Sequence, residues 1–215
     1  MAYRVTPFEN EGYYHLYNRG VEKRIIFNDE RDYDRFLQTI YYYQFDNLKF
    51  RFSLRGSPLN EDYRHNQKIV EIICYCLMPN HFHLLVRQLK DDGTQKFMQR
   101  ILNSYTKYFN TKNKRVGPLL QGAFKAVPVE TDEQLVHVTR YIHLNPFTSG
   151  LTKDVNTYPF SSYHEFTEFE SNPLCNSQQI LRLFKNKQDY QEFVEGHADY
   201  SRELGIMKHL LLEED

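Results

Sequence analysis

The sequence contains no tryptophan and only 3 cysteines among its 215 residues. So few cysteines, without a signal peptide, favour a reducing cytoplasm over a disulfide scaffold. Long apolar runs are also missing, and none approaches the length of a membrane span. We therefore expect a cytoplasmic protein without a membrane partner.

An excess of charge of either sign is absent as well. Lys and Arg number 27 against 28 Asp and Glu, for a formal net charge of -1. This balance counts mildly against a polyanion partner, so a nucleic-acid surface has to be a local patch. Aromatic residues are abundant, with 17 Tyr and 16 Phe. Most such rings form core, although some could stack on bases.

Residues 78–86 read MPNHFHLLV and hold two histidines one residue apart. The apolar and aromatic residues of this run predict a strand. Successive strand side chains point to opposite faces, so His81 and His83 share a face while Phe82 and Leu84 point into the layer behind. Two imidazoles placed in this way are a candidate site for a divalent metal. A packed or surface pair without a metal is the alternative.

The preceding run, residues 68–77, predicts an antiparallel neighbour of this strand, joined to it by a turn. Cys74 and Cys76 share one face of that run, which raises the alternative of a zinc site built with the two histidines. Structural zinc ligands more often come as Cys-x₂-Cys pairs, and free cysteine is commonly a small core residue. We favour the core interpretation.

Residues 137–146 read HVTRYIHLNP and predict the end of a helix. Apolar residues recur at helical spacing, and Pro146 disfavours the α region for the residue before it. His137, Tyr141 and Asn145 lie four apart, so they share a stripe opposite the buried one. A solvated polar face is the alternative interpretation of this stripe.

Together, the histidine strand and the tyrosine helix resemble the single-tyrosine transposases of the HUH superfamily, in particular the REP-associated tyrosine transposases. Several other motifs of that family occur here in the same order. They are YHLYNRG at 14–20, FND at 27–29, DYDRFL at 32–37, QG at 121–122 and YPFSSY at 158–163. The resemblance covers roughly residues 10–166.

The elements alternate as strand, helix, strand pair, helix, strand and helix. This order predicts an α+β protein with a ferredoxin-like antiparallel sheet and helices packed on one face, and the resemblance implies the same fold. We assign this catalytic domain to residues 1–166. Residues 167–215 are expected to form a small C-terminal helical extension.

The resemblance implies that Tyr141 is the catalytic nucleophile, and that its attack leaves a 5′-phosphotyrosine bond and a free 3′ hydroxyl. It also implies that His81 and His83 bind a metal together with an amide one helical turn after the tyrosine, which is Asn145 here. His137, one turn before the tyrosine, is the alternative ligand or a proton acceptor. Mixed nitrogen and oxygen ligands suit Mg²⁺ or Mn²⁺, and imidazoles favour Mn²⁺.

Single-stranded or hairpin DNA is the expected partner. A predicted helix over about 94–110 carries a basic stripe without an acidic residue among its members, which suggests a DNA backbone path; a solvated face is the alternative. Many relatives have an arginine where this chain has Ala123, so either Lys125 compensates or binding is weaker. The candidate DNA contacts are Arg19, Arg100, Asn103, Lys107, Lys112, Lys114, Arg115 and Lys125.

The sequence thus predicts metal-dependent nicking and rejoining of single-stranded DNA by a tyrosine nucleophile, as in a transposase that acts as endonuclease and strand transferase. Two alternatives stay open. One is a non-catalytic nucleic-acid-binding domain of the same fold, and the other is a metal-dependent phosphodiesterase that uses water. Family members occur as homodimers and as monomers, so the tyrosine could serve its own metal site or that of a partner.

Overall fold

The computed structural model describes residues 7–48, 52, 66–167 and 174–196. Within these residues, no helix is both long enough and apolar enough to cross a membrane. The strands and helices are β1 (Tyr13–Arg19), α1 (Glu30–Tyr43), β2 (Val70–Met78), β3 (His81–Gln88), α2 (Gly93–Lys112), β4 (Lys125–Val129), α3 (Asp132–Thr148), α4 (Tyr163–Thr167), α5 (Gln178–Leu181) and α6 (Lys187–Glu195).

The four strands form one antiparallel sheet in the order β2-β3-β1-β4. Helix α1 connects β1 to β2 and α2 connects β3 to β4, so each helix passes over one intervening strand. This is the split βαβ arrangement of ferredoxin-like folds. The predicted α+β class and antiparallel sheet are therefore confirmed.

The pairing register sorts the side chains onto two faces, because directly opposite residues of an antiparallel pair share a face. Phe82 and Leu84 of β3 are buried in one cluster with residues of α1 and α2. Phe82, for example, lies 4.9 Å from Phe36 of α1 between ring centroids. His81 and His83 therefore point to the opposite face, which we call the histidine face.

Helices cover both faces of the sheet, which corrects the prediction of a single covered face. Helix α3 packs on the histidine face, where Leu135 and Ile142 are buried in one cluster with Cys74 and Leu85 of the sheet. The physical reason is that β2 and β3 are buried along almost their whole length. Strands that are apolar on both faces need a cover on each.

Helix α3 starts where the sequence predicts but ends later. The Thr131 side chain accepts the backbone N–H of Gln134 and caps the first turn. The helix then continues through Pro146 to Thr148, although the sequence predicts an end before the proline. A proline this close to the end removes one helical hydrogen bond without breaking the turns before it. Asn145 is consequently 2% exposed inside the last turn rather than frayed.

Helices α4, α5 and α6 pack on the same side of the sheet as α3. Tyr163, Ile180 and Tyr190, one from each helix, are fully buried in the cluster that contains the inner side of α3. The described part of the C-terminal extension thus shares a core with the rest of the chain. The boundary between 166 and 167 stays a prediction, and residues 197–215 lie outside the described residues.

A hydrogen-bonded histidine joins α3 to α6. His143 is 1% exposed, with its Nδ1 2.6 Å from the Tyr190 hydroxyl and its Nε2 2.9 Å from the Ser162 hydroxyl. Burial, helped by the nearby His164, lowers the pKa of His143 from 6.5 to about 3. The ring is therefore neutral at pH 7, donating through one nitrogen and accepting through the other.

Because the unfolded chain binds a proton at this position near pH 6.5 and the folded chain does not, acid should destabilise the fold through His143. The free energy of unfolding should fall as the pH drops from 6.5 towards 3, by up to about 1.4 kcal/mol per pH unit from this group. We expect His143→Gln to lose that slope in urea unfolding, whereas His164→Gln, which removes only the smaller cause of the shift, keeps most of it. Equal slopes for the wild type and His143→Gln would contradict this account.

Candidate active site

The turn between β2 and β3 sets the position of the two candidate metal ligands. Residues 79 and 80 form this turn, and the carbonyl of Asn80 accepts the N–H of Gly20 at 2.8 Å, which ties the turn to the end of β1. His81 and His83 follow at the start of β3 on the histidine face. They are 5% and 1% exposed, and their ring centroids are 5.0 Å apart.

Each of the two imidazoles has a hydrogen-bond partner at Nδ1. The side-chain oxygen of Asn80 lies 2.7 Å from Nδ1 of His81, while the amide nitrogen of Asn80 donates to the Lys23 carbonyl at 3.3 Å. An amide oxygen only accepts, so a neutral His81 carries its proton on Nδ1 and its lone pair on Nε2. Nδ1 of His83 lies 2.9 Å from Nε2 of His15, a buried residue of β1.

Tyr141 of α3 lies against these histidines within the same subunit. Its ring centroid is 5.6 Å from that of His83 and 5.8 Å from that of His15, and both pairs are close to perpendicular. The phenol is half-buried, so it is accessible from the surface. The sheet and α3 therefore bring the predicted nucleophile and His81 and His83, the predicted metal ligands, into one cluster.

The two candidates for a third ligand differ in their surroundings. Asn145 is buried, and its Nδ2 donates to the Tyr141 carbonyl at 2.8 Å. His137 is exposed, lies 2.9 Å from a guanidinium nitrogen of Arg140 and packs against Phe193. The predicted polar stripe therefore runs from solvent into the core instead of following one exposed face. Asn145 is the better placed of the two to meet a buried ligand.

An amide oxygen is the candidate third donor for a divalent ion beside the two imidazoles. Among the described residues, no three His, Cys, Asp or Glu side chains are arranged to hold a metal ion. His81 and His83 supply two nitrogens, so a third protein ligand has to be of another type. An amide binds a metal through its oxygen, so Oδ1 is the candidate donor atom of Asn145, while Nδ2 donates to the Tyr141 carbonyl.

The alternative zinc site is disfavoured by the state of the two cysteines of β2. Cys76 pairs directly with His83 in the sheet register, so the thiol and the imidazole do share a face. Burial raises the pKa of Cys74 and of Cys76, however, which opposes the thiolate form that binds zinc. Cys76 instead contacts Met78 at 3.7 Å between sulfur atoms. Both cysteines are core residues.

Comparison with known proteins agrees with the motifs. An IS200-like transposase family model matches residues 61–145. Over 113 residues the chain is 24% identical to a candidate REP-associated tyrosine transposase of Haemophilus influenzae. The match covers 48% of this chain and 64% of that relative, which is less than two thirds of its length. The resemblance to the tyrosine transposases is confirmed.

A solved structure shares the fold of the chain. It is a REP-associated tyrosine transposase bound to a REP hairpin, and it superimposes with a TM-score of 0.56 at 17% sequence identity. The superposition covers 77% of this chain and 84% of that one. The tyrosine-transposase resemblance therefore extends from short motifs to the three-dimensional arrangement of the elements.

Two of the basic residues expected at the DNA lie beside the histidines of this transposase-like sheet. Arg19 pairs directly with His81, and Lys125 pairs with Tyr17, which in turn pairs with His83. Both basic side chains therefore belong to the histidine face. Lys125 lies on the edge strand β4 and is exposed.

The remaining candidate DNA contacts divide by their position along α2. Arg100, Asn103 and Lys107 belong to a helix that packs on the opposite face of the sheet. Lys114 and Arg115 follow the end of α2, in a loop whose later part bonds to β1, where the N–H of Gln121 donates to the Arg19 carbonyl at 2.8 Å. Helix α2 therefore carries most of the predicted stripe on the side of the sheet away from the histidines.

Lys112 has acidic partners that its own helix does not reveal. Its ammonium lies 2.8 Å from Asp29 and 2.7 Å from Asp32, at the start of α1. The hydrogen bond from Lys112 lowers the pKa of the Asp29 carboxyl. Asp32 is fully buried, so Lys112 compensates a charge between α1 and α2. The stripe contains no acidic residue along α2, but in the folded protein two aspartates of the neighbouring segment lie beside its end.

Two residues of the cluster were not singled out from the sequence. His15 and Tyr17 alternate along β1, and both rings lie within 5.8 Å of the His83 ring between centroids. Their spacing indicates a shared strand face, but only the pairing of β1 with β3 shows which histidine they meet. Tyr17 is a second phenol near the proposed metal site, so it has to be tested beside Tyr141.

Proposed function

We propose that the protein nicks and rejoins single-stranded DNA in a metal-dependent reaction in which Tyr141 is the nucleophile. The observation that carries this proposal is the 5.6 Å separation of the Tyr141 and His83 rings on one face of a sheet whose fold is that of a tyrosine transposase. The proposed reaction class is that of a single-tyrosine transposase of the HUH superfamily.

The residues that would hold the metal are His81 and His83 through Nε2 and Asn145 through Oδ1. This set of two imidazoles and one amide fits Mn²⁺ or Mg²⁺. When bound, the ion supplies polarisation of the scissile phosphate and stabilisation of the charge that develops on it. The protein contributes the rigid strand on which both imidazoles stand, 5.0 Å apart.

The covalent step exchanges one phosphodiester for another. The Tyr141 oxygen forms a bond to phosphorus, the bond from phosphorus to the 3′ oxygen breaks, and the released oxygen takes up a proton. Phenols in water are almost entirely protonated at neutral pH, so a phenol nucleophile has to pass its proton to an acceptor as the bond forms. No nucleotide is consumed, and the freed hydroxyl can attack the phosphotyrosine to rejoin strands.

The proposed DNA path runs along the open side of the histidine face. Arg19 and Lys125 are the candidate cations that the strand register places on the histidine face, and β4 is an edge strand of the sheet that the described residues form. The solved neighbour carries a REP hairpin, and we propose hairpin DNA as the ligand here too. We also propose a cytoplasmic location, which the three free cysteines support.

The catalytic proposal predicts a covalent adduct on one tyrosine. Purified protein mixed with Mn²⁺ and a library of labelled hairpin oligonucleotides with single-stranded flanks should give a labelled band that resists denaturation. Tyr141→Phe should abolish it, and Tyr17→Phe should retain it as a matched control. Cleavage with multiple turnovers and no adduct would instead indicate a phosphodiesterase that uses water, and binding that survives EDTA without any cleavage would indicate a binding module.

The proposed DNA path predicts unequal effects of two exposed lysines. Lys125→Ala should weaken hairpin binding and reduce the dependence of log K on log salt by about one phosphate contact. Lys107→Ala, on the opposite side of the sheet, should leave both quantities unchanged. Fluorescence anisotropy at several salt concentrations measures them. A larger effect at Lys107 than at Lys125 would place the path along α2.

A further inference from the structure

We propose that His15 is a positioning residue that fixes the tautomer and orientation of His83 for metal binding. This inference rests on the proposed function. His15 lies on β1, its Nε2 is 2.9 Å from Nδ1 of His83, and the two rings are nearly parallel with centroids 5.1 Å apart. Both residues are buried, at 6% and 1% exposure, so water competes little for this hydrogen bond.

The chemistry of imidazole sets the direction of the bond. A histidine that binds a metal through Nε2 carries its proton on Nδ1, and that N–H needs an acceptor. At His83 the atom in position is Nε2 of His15. His15 therefore accepts there and carries its own proton on Nδ1. With this polarity the lone pair of His83 lies on Nε2.

The neighbouring ligand has an equivalent arrangement. Nδ1 of His81 donates to the side-chain oxygen of Asn80 at 2.7 Å. Both candidate ligands are thus held at the same ring nitrogen by a side chain that is not itself a ligand. The two partners come from different elements, the turn before β3 and the adjacent strand β1. The hydrogen bonding of both histidines at Nδ1 is therefore not a consequence of strand periodicity alone.

His15 also contacts the nucleophile. Its ring centroid lies 5.8 Å from that of Tyr141 at an interplanar angle of 74°. The same ring therefore packs against the phenol and bonds to the imidazole, which fixes the spacing between them. A merely packed core histidine would contribute to stability but not to the tautomer or the metal affinity of His83.

The tautomer is measurable without a metal. Long-range ¹⁵N spectra of histidine-labelled protein at pH 8 distinguish protonation at Nδ1 from protonation at Nε2, and His83→Gln assigns the signals. We expect His83 to be protonated at Nδ1 in the wild type, and His15→Leu to shift it towards the Nε2 tautomer. A wild-type His83 that carries its proton on Nε2 overturns the proposal.

Mn²⁺ affinity provides the second readout, followed by electron paramagnetic resonance of the free ion. We expect His15→Leu to weaken binding about 10- to 100-fold, and His15→Gln, whose side-chain oxygen can accept the same N–H, to restore most of it. His164→Leu, which removes a histidine from α4, should bind as the wild type does. Thermal unfolding without metal identifies a variant that fails to fold. If His15→Leu fails in this way, the Mn²⁺ affinity of His15→Gln and the His83 tautomer of the wild type test the proposal instead.

The outcomes distinguish a failure of the His15 role from a failure of the proposed metal site. Wild-type affinity in His15→Leu contradicts the role of His15 while leaving the metal site intact. A wild type that binds no Mn²⁺ contradicts the metal step of the proposed function, and the tautomer spectra still test His15. A drop in unfolding temperature without a change in tautomer or affinity assigns His15 to the core alone.

Discussion

The packing of α3 on the histidine face of the sheet is the interaction on which the rest of the structure depends. Ile142 of α3 and Leu85 of β3 are fully buried in one cluster, and each such side chain contributes about 1.5–3 kcal/mol through burial. Neighbouring helical residues are about 100° apart around the axis, so burying Ile142 directs Tyr141 to the flank of the contact, where it meets His83. The position of the phenol is thus a consequence of apolar packing.

The C-terminal helices hold α3 from its other side. His143 reaches Tyr190 of α6, and the Arg140 guanidinium lies 4.4 Å from the centre of the Phe193 ring, also of α6. Helix α3 is therefore enclosed between the sheet and α6, with Tyr141 at the opening. The extension, whose role the sequence leaves undecided, contributes at least to the core that supports the tyrosine helix.

Periodicity and capping were enough to predict the elements of the fold, because those signals are local. Contacts between elements that are distant in sequence are not local signals, and the wrong or missing predictions concern such contacts. The continuous apolar run of β2 indicates burial on both faces, yet only the topology shows that α3 provides the second cover. Likewise His15 and Lys112 are each defined by partners far along the chain, so the sequence predicted the histidine pair and the tyrosine but not the residues that surround them.

The central claim is that the phenol and the imidazoles of one subunit act on the same phosphorus atom. It is tested most directly by mixing two inactive proteins of different size, Tyr141→Phe and the double variant His81→Ala/His83→Ala, with Mn²⁺ and a hairpin oligonucleotide that the wild type attaches covalently. The account predicts no adduct on either protein, since neither subunit has a complete site. An adduct on Tyr141 of the double variant would contradict it, because the phenol would then act at the histidines of a partner.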